Sequence, residues 1–118
     1  MASDRELLWE LVGREMSSVE FVRDYLQLRF DGPTINVYTP TTVVAGEERA
    51  TTWDTHVRNL LCAQISKAVS SVSVEPAEAL TLVFVDASVI RISLREQDYR
   101  CTEAVYYHGF SNGQWGSI

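Results

Sequence analysis

The two halves of this chain are near-repeats of one another. An offset of 53 residues places Leu7-Leu8 on Leu60-Leu61, Val12 on Ile65 and Met16-Ser17-Ser18-Val19 on Val69-Ser70-Ser71-Val72. One inserted residue moves the offset to 54 and aligns Leu26-x-Leu28-x-Phe30 with Leu80-x-Leu82-x-Phe84. A second insertion gives 55 and aligns Ile35-x-Val37 with Ile90-x-Ile92. Both insertions fall at predicted turns, where added length costs little. Repeats decide architecture before any local pattern does.

Each copy reads as a helix followed by three strands. Ser3 with Glu6 three residues on is a capping-box signature. Leu7, Leu8, Leu11 and Val12 follow at helical spacing, with Gly13 as the stop. The second helix is expected to begin near Thr51 or Thr52, with Asp54 in its first turn and Trp53, Val57, Leu60, Leu61 and Ile65 as its inner stripe. The period then changes to two. Val19 and Phe21, then Leu26, Leu28 and Phe30, then Ile35 and Val37 alternate with polar residues, as do Val72 to Leu94 in the second copy. The expected fold is therefore α+β: a single domain, 1–118, of two tandem αβββ units at 7–38 and 60–93. Its antiparallel sheet is covered by two helices, and a C-terminal β-hairpin follows at 103–117. The stretch 39–50 is expected to link the copies, with Val43-Val44 as a short edge strand, and the tail to differ from both copies.

Across Ser18-Val19-Glu20-Phe21 and Leu26-Gln27-Leu28-Arg29-Phe30-Asp31-Gly32-Pro33, and again in the aromatic tail, the chain resembles small bacterial proteins of unknown function. The resemblance implies a bacterial cytosolic setting and brings no catalytic residues with it. The use of nine arginines against a single lysine, Lys67, points the same way, toward a GC-rich bacterial genome.

Charge narrows the partners. Net charge is −6 and the acidity is spread over both halves, whereas nucleic-acid binders need a clustered basic surface. Nucleic acid and an anionic membrane surface are therefore not expected as partners. A basic protein partner suits the field, and an acidic inhibitor or immunity-type role is one form this takes. No apolar run reaches the ~18 residues of a membrane span, and Met1-Ala2-Ser3-Asp4-Arg5-Glu6 lacks a basic region followed by an apolar one. Cys62 and Cys101, with no CxxC pair, are expected to be free thiols in a reducing cytoplasm.

No phosphate-cradling loop, zinc spacing or nucleophile elbow is present, so no cofactor and no metal are expected. Cys101, Glu103 and His108 carry the elements of an activated thiol, but seven extended residues hold Cys101 and His108 roughly 23 Å apart. Strand parity instead gathers Tyr25, Gln27, Arg29, Thr34, Asn36 and Tyr38 on the sheet face away from the helices, a mixture suited to recognition. The candidate binding residues are Tyr25, Arg29, Asn36, Tyr38, His56, Tyr107 and His108. Trp9, Val83, Val85, Val89 and Trp115 are the candidate interface of a homodimer, with the tail expected to pack over the three valines. These residues favour a non-catalytic binding or protein-interaction module. The alternative is a small-molecule-binding protein or enzyme with a pocket between the repeats, using His56, Tyr106, Tyr107 or His108.

Overall fold

The computed structural model describes residues 3–118 and arranges ten strands in two five-stranded antiparallel sheets. The first sheet contains β1 (Ser18–Val22), β2 (Tyr25–Arg29), β3 (Thr34–Val37), β9 (Val105–His108) and β10 (Gly116–Ser117), in that order. The second runs β5 (Glu48–Thr51), β4 (Thr41–Ala45), β8 (Val89–Ser93), β7 (Ala79–Phe84) and β6 (Val69–Glu75). The only α-helices among the described residues are α1 (Asp4–Leu8) and α2 (Val57–Cys62). The fold is thus mostly β, and the expectation of an α+β sheet covered by two helices is overturned.

Local chemistry explains why the helices stay short. Ser3 caps α1 by accepting the Glu6 N–H at 3.2 Å, as its spacing predicts. The helix tightens into a 3₁₀ turn at Trp9–Leu11, and the chain then turns extended at Val12. Helix α2 does not begin at Thr51. The Asp54 carboxylate accepts the Thr51 N–H at 2.7 Å, closing a turn at the end of β5 that competes with helix. Trp53 is therefore left outside the helix and 76% exposed rather than on its inner stripe, while Val57, Leu60 and Leu61 are buried as expected. Helices of five and six residues are far below the ~12 that stand alone, so packing holds them.

The strand order carries a second correction. Each sheet joins a three-stranded meander from one half of the chain to a hairpin from the other. Hairpin β9–β10 is seated on β3, with Val37 opposite Val105 and Ile35 opposite Tyr107. Hairpin β4–β5 is seated on β8, with Thr41 opposite Ile92. The stretch expected as a linker with an edge strand thus places β4 inside a sheet, and the tail has the same role as that linker. The chain crosses between sheets at two adjacent places, where Tyr38 N–H donates to Ala104 O at 2.9 Å and Ser93 N–H to Pro40 O at 3.0 Å. The halves also meet where Glu15 bridges Ala68. There the Gly13 N–H reaches Val69 O at 2.8 Å and the Ser66 N–H reaches Met16 O at 2.7 Å. Gly13 (φ +88°) and Ser66 (φ +76°), 53 residues apart, both take the left-handed turn this requires.

One core serves both sheets. Leu28, Phe30, Ile35 and Tyr107 come from the first, Val43, Leu82, Ile90 and Ile92 from the second. Each fully buried aliphatic or aromatic side chain contributes about 1.5–3 kcal/mol. The tail spends Val105, Tyr107 and Phe110 on this core, so it does not lie over Val83, Val85 and Val89 on the outside of the second sheet. No helix among the described residues is long and apolar enough to cross a membrane.

Candidate functional site

Alternation along the first sheet sends Leu28, Ile35 and Tyr107 inward and their strand neighbours outward. Across the outer face, Arg29 stands beside Thr34 and then His108, and Gln27 beside Asn36 and then Tyr106. Rings group along this face. Tyr25 and Tyr38 lie 5.4 Å apart between centroids, Tyr106 stacks on His108 at 5.3 Å, and Trp115 leans on Tyr106 at 6.0 Å. Trp115 is 64% exposed. Its loop is held close by Gly109, whose φ is +78° and whose missing Cβ would collide with Gly32 O. Only glycine lets these two backbones meet.

The polar groups between the rings are fixed. The Arg29 guanidinium donates to Gln27 Oε1 at 2.7 Å and to Glu20 Oε1 at 3.0 Å, which holds its charge flat on the face. Asn36 is 9% exposed, and its Nδ2 donates weakly to Tyr38 Oη at 3.5 Å. Its Oδ1 has no hydrogen-bond partner among the described residues. A buried amide oxygen without a donor costs free energy.

At one end the face runs into a groove of about 200 Å³ between the β1–β2 turn and the segment leading into α2. Phe21, Tyr25, Tyr38 and Trp53 line it together with Arg23, Arg58 and Arg100. The groove is not legible in the hydrophobic pattern, which places Trp53 on the inner stripe of a helix. The available signal was the run Thr51-Thr52-Trp53-Asp54-Thr55, whose β-branched and Asx residues disfavour helix.

The structure brings Tyr25, Arg29, Asn36, Tyr38, His108 and Trp115 to one surface, and Tyr106 joins them. Tyr107 lies on the other side of β9, buried, donating its hydroxyl to Asp4. Burial and the Asp4 carboxylate push that hydroxyl above the ordinary tyrosine range. His56 flanks α2 with a ring nitrogen 3.3 Å from Arg49 O, away from the rings. Of the four residues named for an enzyme, His56, Tyr106, Tyr107 and His108, none lines the groove. The Cys101 thiol donates to Glu103 O at 3.2 Å while His108 stacks on Tyr106. No cluster of three metal-ligating side chains occurs among the described residues. Trp9 is half exposed at the end of α1, and Val85 stands exposed beside the half-buried Val83 and Val89 on the second sheet. Comparison of the chain with family models, curated proteins and solved structures returns no match.

Proposed function

We propose that the chain is a non-catalytic protein-interaction module of the bacterial cytoplasm that recognises its partner through the outer face of β1-β2-β3-β9-β10. One observation carries the reading: the outer face gathers two ring clusters, Tyr25 with Tyr38 and Tyr106 with His108 and Trp115, and leaves Trp115 64% exposed. Tyr, Trp and Arg are the residues that carry most binding energy at protein interfaces. Strands and mutual stacking hold these side chains in place before binding, which lowers the entropy cost of association. The net charge of −6 favours a basic partner. Exposed Cys62 and Cys101, both free, suit a reducing compartment.

The test compares what co-purifies with the native chain and with a Tyr106→Ser/Trp115→Ser variant of unchanged melting temperature. A protein recovered with the first and lost with the second supports the module. Identical recovery with both overturns it. A second reading, self-association of the outer face of the second sheet, rests on Val85, which is 67% exposed beside two further valines. Light scattering separates the two: a mass near 13.3 kDa rejects the dimer.

A further inference from the structure

The groove beside Trp53 shares Tyr25 and Tyr38 with the flat face but has a different chemistry. Its lining includes the buried Val37, Val57 and Leu61, the half-buried Leu26 and the partly exposed Phe21. Its rim carries three arginines, Arg23, Arg58 and Arg100, against one carboxylate, Asp24. In a chain of net charge −6 this is a local reversal of sign. Among the described residues none of the three arginines makes an ion pair within 4 Å, as is also true of Arg5, Arg49 and Arg95, while Arg14, Arg29 and Arg91 are paired. The Arg58 guanidinium lies 5.5 Å from the centre of the Phe21 ring. A cation over a ring makes no N–H hydrogen bond in that contact, so the Arg58 N–H groups stay open to an acceptor of matching shape.

We propose that this groove binds a small monocarboxylic acid with an apolar body. The carboxylate takes the arginine fork in a planar, two-point pairing, and the apolar body lies on Phe21 and Val57 under the Trp53 ring. The volume of about 200 Å³ sets the size, since it lies below the ~300 Å³ at which sites for drug-sized ligands begin. A ligand this small binds at millimolar or sub-millimolar concentration. The exposure of Trp53, otherwise a solvent cost, is explained as an open lip over the ligand.

The probes are phenylacetate, its uncharged analogue phenylacetamide, and acetate, titrated into ¹⁵N-labelled full-length protein. Phenylacetate is expected to saturate below about 10 mM, with shifts confined to the Trp53 indole, the Val57–Arg58 amides and the β1–β2 turn. Phenylacetamide and acetate should each bind at least about tenfold more weakly. Arg58→Gln and, independently, Arg100→Gln should weaken phenylacetate about tenfold, while Arg91→Gln on the second sheet should not. The Tyr106→Ser/Trp115→Ser variant should bind phenylacetate unchanged, which keeps this site distinguishable from the interaction face. Non-saturating or scattered shifts, equal affinity for the amide, or indifference to both arginine substitutions would overturn the proposal.

Discussion

Lys67, the chain's single lysine, holds its ammonium 2.7 Å from Asp86 Oδ2. The same ammonium reaches Gln64 Oε1 at 3.1 Å and Ser88 Oγ at 3.3 Å, joining the turn after α2 to the β7–β8 turn. The Lys67 bond, aided by the Ser88 N–H at 2.9 Å, lowers the Asp86 carboxyl from 3.8 to about 2. A carboxyl lowered on folding stabilises fully above its unfolded value, and that contribution is lost as pH falls through the folded one. Native stability should therefore drop between pH 3.8 and 2 more steeply than that of Asp86→Asn, read from urea midpoints. Parallel curves would contradict the pairing.

Tyr107 titrates in the opposite sense. Its neutral form is the favoured one in the fold, so the native state keeps a proton above pH 10 that the unfolded chain releases. Stability from this group is complete below pH 10 and falls above it. Tyr107→Phe should cost about 1 kcal/mol at neutral pH through the lost bond to Asp4. It should also make alkaline unfolding shallower above pH 10, where a tyrosine matters and a phenylalanine cannot.

Gly116 tests how tightly that ring is seated. A Cβ at this position would collide with the Tyr107 hydroxyl and ring. Because Tyr107 is buried beside Phe110, the ring has no room to retreat. Gly116→Ala should lower stability by about 1–3 kcal/mol, visible as a fall in melting temperature. An unchanged melting temperature would mean that β10 shifts freely.

Asn36 tests what an orphaned amide oxygen costs the fold. Replacing it with valine removes a buried oxygen that has no partner and suits the strand better. Asn36→Val is expected to leave stability unchanged or raised, read as the urea midpoint. A loss of more than about 1 kcal/mol in the free protein would show that the amide is already satisfied.

The periodicity of two legibly marks β1, β2, β3, β6, β7 and β8, and Ser3 with Glu6 marks the start of α1. Parity alone assembles Tyr25, Arg29, Asn36 and Tyr38, because residues two apart on a strand share a face. It cannot say which sheet a strand joins. Val105 opposite Val37 is a pairing across 68 positions, and nothing local to either residue encodes it. Naming Tyr107 rather than Tyr106 as a surface residue follows from the same gap. The register against Ile35 decides which of two adjacent tyrosines enters the core. Trp53 went astray for a different reason: its helical spacing to Val57 is genuine, but a single carboxylate, Asp54, turns the chain first.

The exchange of hairpins makes the two halves behave as an obligate pair tied by a covalent tether. Neither half owns a complete sheet: without β9–β10, β3 becomes a bare edge, and without β4–β5 so does β8. A cut in the loop before α2 should therefore yield fragments that are each incompetent alone and reassemble on mixing, as subunits do. Folding must close both long-range seams to complete either sheet, which favours a slow, all-or-none transition with no stable half-protein along the way. The same hooks also fit a neighbouring copy of the chain. Concentrated refolding therefore risks reciprocal swapping, with the short crossover at Tyr38-Thr39-Pro40 as the hinge.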